Sequence, residues 1–584
     1  MSRRLHSILP CLEWARGYDR AALAGDLLAA AIVTVMLIPQ SLAYALLAGV
    51  PAEMGLYATM LPLVAYALLG TSRTLSVGPV AVISLMTATA IGEAAATTGA
   101  SAIEAAIVLA LLSGGVLLLM GVLRFGFLVN FLSHSVVAGF ITASGIIIAL
   151  GQLRHLLGID AHGDNLVELG STLLQGIPGT SATTLMLGGV ALAILLLARH
   201  SLPAILRASG LPAALANFIC KASPVFVVCL TTLMAWGMAL DQSGVAVVGA
   251  VPSGLPALAV PAFDPELWMA LLDSAVLISI IGYVESVSVG RTLAAKRRQR
   301  IDANQELVGL GAANLASAVS GGFPVTGGFS RSVVNFDAGA VTPAASLFAA
   351  AGMALATVFL TPLLYFLPKA TLAAVIIVAV ASLIDFSPLV RAWHYARTDF
   401  IAIATTIAVT LLLGVEMGVL CGVGASLALH LYETSRPHMA VVGEVPGTEH
   451  FRNIERHEVI THAGIISLRV DQSLYFANAS YIEDAIYKLV ADDISVRHVV
   501  LMCTAVNAID LSALEVLESV NERLAEGGVA LHLSEVKGPV MDCLEKTDFP
   551  NRLSGQVFLS QHQAIEALRR RPGSRELQLV GQSS

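Results

Sequence analysis

Residues 320–336, SGGFPVTGGFSRSVVNF, lie between two strongly apolar stretches, and their reading decides the fold. The segment holds four glycines, a proline, a threonine, three serines and Arg331. An uninterrupted membrane-crossing helix does not tolerate this mixture. Glycine and proline break the hydrogen-bond ladder, and an arginine at the bilayer centre costs at least about 2.5–3.5 kcal/mol. Backbone that leaves the helix at membrane depth survives only when it is buried in protein or lines a wet cavity, because water is absent there to satisfy N–H and C=O groups.

The surroundings do read as membrane. Of 584 residues, 56% are hydrophobic and 13% charged, with a mean hydropathy of +0.78, far from the composition of a soluble globular chain. Apolar stretches fall near 24–45, 54–70, 79–92, 102–122, 132–152, 182–200, 223–240, 269–290, 304–319, 328–336, 341–358, 361–383, 398–413 and 415–432. Most approach the roughly 20 residues that a helix needs to span about 30 Å of hydrocarbon. Charge divides the chain. Residues 440–584 hold 13 Lys+Arg and 20 Asp+Glu, leaving 20 and 21 for the near-neutral remainder. The expected organisation is a cytosolic lead-in (1–20), a transmembrane domain (21–436), a linker (437–448), a small water-soluble domain (449–572) and a disordered tail (573–584).

Orientation follows from the basic residues. RTLAAKRRQR (291–300) carries five, and 199–221 holds Arg199, Arg207 and Lys221, whereas 241–268 has none. The first two segments are therefore expected inside, together with the N-terminus and the acidic tail, and the third outside. The six cysteines are scattered without a C-x-x-C pair, which argues against a disulfide framework or a zinc site. HEVITH (457–462) has the wrong histidine spacing for a zinc protease, and no enzyme site, cofactor or metal is expected.

The membrane region contains the opening pattern twice. GTSRTLSVGPVAVISL (70–85) is another polar, Gly/Pro-broken stretch leading into a short apolar run, about 250 residues upstream of the first. Interrupted segments at corresponding places point to inverted repeats, here about 21–240 and 265–436, with seven spans each and a binding site built from half-helices. A half-helix that begins in mid-bilayer leaves its first N–H groups bare and its positive dipole end facing the cavity, an arrangement that an anion satisfies. Gly78 and Pro79 suit one such start and Gly327–Gly328 the other. Arg331 would add charge, Ser330 and Thr326 hydroxyl donors, and Gln40 and Tyr44, four apart on one face behind a Pro39 that would itself open the helix, further polar groups. Glu285, inside LLISIIGYVESVSVG, would carry a proton or bind a cation. Against these readings stand structural ones: an arginine that braces a loop or pairs with Glu285, hydroxyls that cap helices, and an amide that bonds a neighbouring helix.

From residue 464 the tail alternates strand and amphipathic helix, ending in a Gly-Gly turn and another strand, a small α/β layer domain. Its order resembles the STAS domain. AIDLSALE (508–515) matches the turn where soluble relatives carry a phosphorylated serine, here Ser512, although an N-cap for a helix beginning at Ala513 is the simpler reading. With IPQSLAYALLAGVPAEMGLYATMLP (38–62), GTSRTLSVGPVAVISLM (70–86) and NQELVGLGAANLASAVSGGFPVTGGFSRSVVN (304–335), the chain resembles the sulfate permease (SulP) family, which includes prestin.

That resemblance implies fourteen transmembrane segments in core and gate subdomains, a homodimer, and an elevator-like motion of the core. It also implies an anion between Gly78-Pro79-Val80 and Gly328-Phe329-Ser330, with Gln40 and Tyr44 nearby and Arg331 supplying charge. Glu285 falls on the acid implicated in cation coupling. Val289 stands where sodium-coupled relatives place a hydroxyl, which favours protons. The expected activity is proton-coupled uptake of a small inorganic anion, sulfate first, across the cell (inner) membrane. Bicarbonate or dicarboxylate transport, sodium coupling, a channel-like chloride/anion exchanger and a membrane sensor with a STAS output remain as alternatives.

Overall fold

The computed structural model describes residues 9–130, 134–163, 165–210, 219–220, 222–252, 254–569 and 578–580. It divides into two compact units, 1–426 and 427–584. The first is helical. Its principal helices are α1 (Arg20–Leu47), α2 (Leu61–Leu69), α3 (Ala81–Thr98), α4 (Ala102–Val122), α5 (His134–Leu157), α6 (Ala182–His200) and α7 (Ser223–Gly237). They continue with α8 (Pro265–Lys296), α9 (Ala303–Val319), α10 (Phe329–Asp337), α11 (Ala344–Phe359), α12 (Lys369–Val380), α13 (Arg397–Leu413) and α14 (Val415–Ser435), the last reaching into the second unit. Each apolar stretch of the sequence falls on a helix, and among the described residues eight helical stretches are long and apolar enough to cross a membrane.

Three details differ from expectation. The stretch 54–70 is two helices, because Ala52–Tyr57 ends before α2 begins. The stretch 361–383 becomes helical only at Lys369, since Thr361–Leu364 forms a 3₁₀ turn and the Lys369 N–H is taken by the Ala246 carbonyl. Pro39 does not open α1, which runs helical on both sides of it. The helices approach closely where side chains vanish. A Cβ on Gly114 of α4 would lie 2.8 Å from the Leu315 nitrogen of α9, and one on Gly311 would lie 2.9 Å from the Leu118 nitrogen. Small residues at such crossings let dispersion and backbone contact hold helices together where no hydrophobic effect separates protein from lipid.

The second unit is built on a mixed sheet. Its strands are β3 (Met439–Glu444), β4 (Phe451–Asn453), β5 (Val459–Thr461), β6 (Ile465–Val470), β7 (His498–Met502), β8 (Ala530–Ser534), β9 (Val557–Phe558) and β10 (Gln578–Val580), in the order β10-β5-β3-β6-β7-β8-β9, with β4 paired to β3. The pairs from β6 to β9 are parallel, and helices Ala479–Asp492 and Leu511–Glu526 bury Ile482, Ile486, Leu517 and Val520 in the core with Leu468, Val499 and Leu531. The expected linker, 437–448, is corrected: Met439–Glu444 is an internal strand that buries Ala440 and Val442. Of the expected disordered tail, Gln578–Val580 instead pairs antiparallel with Val459–Thr461, while 573–577 and 581–584 lie outside the described residues. Ser512 is exposed and does not cap the helix. Asp510 does, accepting from the Ala513 N–H at 2.8 Å.

Two buried carboxylates tie the halves of the helical unit to each other. Glu306 of α9, fully buried, accepts from the Tyr66 hydroxyl (2.6 Å), the Thr71 N–H (2.7 Å) and hydroxyl (2.6 Å), and the Ser72 N–H (3.0 Å). Asp26 of α1, also fully buried, accepts from the N–H groups of Val341 (2.6 Å) and Thr342 (3.0 Å) and from the Thr342 hydroxyl (2.6 Å). Each acid thus pins non-helical backbone of the opposite half, giving its donors the partners that lipid cannot supply. Removing Glu306 strands three sets of buried donors at about 1–3 kcal/mol each. Glu306→Ala is expected to lower the melting temperature of the purified full chain by several degrees; an unchanged melt would deny this anchor its role.

Candidate anion-binding site

The two Gly/Pro-broken segments meet. Val77–Gly78 (β1) and Thr326–Gly327 (β2) pair antiparallel, Val77 opposite Gly327 and Gly78 opposite Thr326. Beyond each short strand a helix begins: α3 at Ala81 after Val80, and α10 at Phe329 after Gly328. Neither start has a side-chain cap. The first main-chain bonds into these helices run from Ser84 N–H to Val80 O and from Ser332 N–H to Gly328 O, which leaves the amides of 81–83 and 329–331 without a partner inside their helices.

The rest of the broken backbone is satisfied, largely between the two segments. The Ser76 N–H donates to Ser332 Oγ (3.0 Å), the Gly328 N–H to the Ser76 carbonyl (3.3 Å), and Asn335 Nδ2 to the Thr74 carbonyl (3.0 Å). Asn314 both accepts from the Val325 N–H and donates to the Val325 carbonyl, each at 2.9 Å. The Gly327 N–H donates to Ser286 Oγ at 2.8 Å. Polar groups of the crossing are therefore largely paired before the two helix starts are reached, the buried Ser76 hydroxyl excepted.

Arg331 stands at that point. It is 3% exposed, and its Nη1 and Nη2 are buried with no hydrogen-bond partner among the described residues. The guanidinium lies across both starts: a Cβ on Gly78 would be 2.6 Å from Nη1, and one on Gly328 would be 3.3 Å from Nη2. Tyr44 and Glu285 are its electrostatic neighbours, yet no ion pair joins Arg331 to Glu285 among the described residues, so a permanent pairing of the two is not what the structure contains. An unpartnered buried guanidinium is expensive, and an anion offsets that cost.

The other expected residues divide. Pro79 and Val80 are buried at the start of α3, and Val80 touches Gly328 closely enough that a Cβ there would lie 2.9 Å from Val80 Cγ1. Phe329 is 52% exposed and Ser330 is exposed. Gln40 and Ser330 line one cavity of about 220 Å³, and neither side chain has a hydrogen bond among the described residues. Tyr44 is buried on the same helix as Gln40. Thr326 is corrected: its hydroxyl donates to the Gly282 carbonyl (2.6 Å) and meets Ser286 Oγ (2.7 Å), so it braces β2 against α8 and has no proton to offer an anion. Glu285 lies apart from the Gln40 cavity, in a narrow crevice with Val82 of α3, Phe140 of α5 and Val419 of α14. Sequence reading does not single out Glu306 and Asn314, which hold the crossing, or Asp26, which holds the 341–342 backbone. Each lies in a helix where it resembles an ordinary polar face residue.

A family description, Sulfate permease family, matches residues 23–406, and a second, STAS domain, matches 456–564. The chain belongs to the sulfate permease family. It is 34% identical over 577 residues to Sulfate transporter 4.1, chloroplastic, of Arabidopsis thaliana, covering 96% of this chain and 82% of that one. A probable sulfate transporter of Mycobacterium tuberculosis is 33% identical over 559 residues, covering 95% and 97%. Among solved structures, murine Solute Carrier 26 family member A9, described as an anion transporter in the inward-facing state, superposes with a TM-score of 0.87 at 23% identity, covering 98% of this chain and 95% of that one. The transmembrane domain of the cyanobacterial bicarbonate transporter BicA gives 0.59 at 21% identity, covering 70% and 98%. These likenesses make this permease a mainly helical membrane protein with a C-terminal STAS domain.

Charge at a helix start recognises anions without reading their shape. Arg331→Ala should therefore weaken binding of sulfate, bicarbonate and chloride together, by roughly tenfold to a hundredfold for the loss of charged hydrogen bonds. Competition against one labelled anion on purified protein measures it, and loss confined to a single anion would contradict the assignment. Gly78→Ala, which pushes on Nη1, should shift the same affinities in the same direction while leaving the fold intact.

Proposed function

We propose that this permease is a secondary active transporter importing a small inorganic anion, sulfate first, with protons as the coupling ion. The observation that carries the reading is the pair of uncapped helix starts with an unpartnered, buried guanidinium between them. The names of its relatives supply the preference for sulfate. In this reading fourteen helical segments form two seven-segment inverted repeats, and a core containing α1, α3, α8 and α10 moves past a gate in an elevator-like cycle. The protein works as a homodimer in the cell (inner) membrane, with its N-terminus and STAS domain in the cytoplasm.

Coupling has an electrical rationale. A potential of 100 mV, negative inside, opposes each incoming negative charge by about 2.3 kcal/mol, so a dianion entering alone works against roughly twice that. Glu285 supports a proton route because it is a carboxyl beside apolar Val82, Phe140 and Val419, with no hydrogen-bond partner among the described residues and within electrostatic reach of Arg331. A site that gains a proton as it gains the anion crosses with less net charge.

Liposomes containing the purified protein should take up labelled sulfate when the outside is made acidic, and unlabelled bicarbonate, fumarate and chloride compete according to their true rank. No uptake of any anion would favour a sensor over a transporter. Glu285→Gln should abolish the response to the pH gradient while retaining anion binding; an equal gradient response in mutant and wild type would remove protons, and Glu285, from the mechanism.

A further inference from the structure

The cavity that holds Gln40 and Ser330 has a second charged end. Arg199, in the last turn of α6, lines it together with Pro224 of α7 and Val378 and Ser382 at the end of α12. Arg199 Nη1 donates to the Val378 carbonyl at 2.7 Å, one of the terminal carbonyls of α12 that have no partner within the helix. This single bond fixes the guanidinium at the cavity wall and uses one of its five N–H donors. No ion pair or further hydrogen bond of Arg199 occurs among the described residues. Ser382 cannot replace it, because its hydroxyl already donates to the Ala379 carbonyl at 2.7 Å.

The cavity is thus polar at both ends and one-signed. Toward α10 it offers the Ser330 hydroxyl and Gln40 amide, which have no partner among the described residues; toward α6 and α12 it offers a fixed, exposed guanidinium; and no acidic side chain among the described residues lines it. Low-dielectric walls lined by one sign of charge concentrate the opposite ion between them. We propose that Arg199 is a second anion station, which receives the anion from the Arg331 site and passes it to the aqueous phase on the side of the membrane that Arg199 faces. This rests on the transport reading above. It adds a distinct contact on helices other than those that build the primary site.

The competing explanation is that Arg199 only caps α12. Glutamine separates the two, since its amide can still donate to the Val378 carbonyl but carries no charge. In right-side-out and inside-out membrane vesicles, Arg199→Gln should raise the KM for sulfate presented on the Arg199 side by about two- to fivefold, the scale of a solvent-exposed charge pair, and leave the KM on the opposite side unchanged. Arg199→Lys, with charge and donor, should restore it, and added inert salt should narrow the gap between wild type and Arg199→Gln. If Arg199→Gln matches wild type on both sides, or changes both sides equally, the station does not exist. If the wild-type protein carries no anion in either vesicle type, the transport reading fails and this inference with it.

Discussion

The structure depends on one constraint: a helix interrupted inside a bilayer has no water to complete its hydrogen bonds. Two interruptions, at 70–80 and 320–328, solve this for each other. A two-residue antiparallel ladder, Ser332 and Asn335 reaching across to the 74–76 backbone, and Asn314 folding back onto Val325 account for the polar groups of the crossing. What they leave without a partner, among the described residues, are the amides of two helix starts, the Arg331 guanidinium and the buried Ser76 hydroxyl. The remaining need is for negative charge, so the chemistry of the site is the remainder of the fold's own hydrogen bonding.

That division explains which residues are structural and which are functional. Thr326, Ser286 and Ser332 are hydroxyls in or beside the crossing, and all three are committed to main-chain partners. Among the described residues Ser330 and Gln40 have no such partners, and they face a cavity. Glu306 and Asp26 would look like candidate proton carriers by burial alone. Each instead accepts three or four hydrogen bonds from the opposite half and is committed to bracing it, whereas Glu285 has no such partners among the described residues.

Much of this was legible in the sequence because glycine, proline and arginine are costly in lipid. The two broken segments, their 250-residue offset, and Arg331, Gly78, Gln40 and Ser330 all announce themselves by being out of place. Thr326 reads as an anion donor because a hydroxyl beside glycines looks the same whether it faces a cavity or a carbonyl 44 positions away in the chain. Glu306 does not stand out in the sequence, since it follows Asp302, the N-cap of α9, and so resembles an ordinary first-turn acid. The strand at 439–444 reads as linker because it is short and its pairing partners, Val459–Thr461 and Ile465–Val470, come later in the chain.

The central claim is that main-chain amides at the beginnings of α3 and α10, with Arg331, hold the transported anion. Its most direct measurement is an experimental density map of the protein with selenate, a heavy-atom analogue of sulfate, compared with a map recorded without it. The account predicts difference density within hydrogen-bonding reach, about 3 Å, of the 81–83 and 329–331 amides. Selenate bound elsewhere in the helical unit, with those helix starts closed over by side chains, would contradict it.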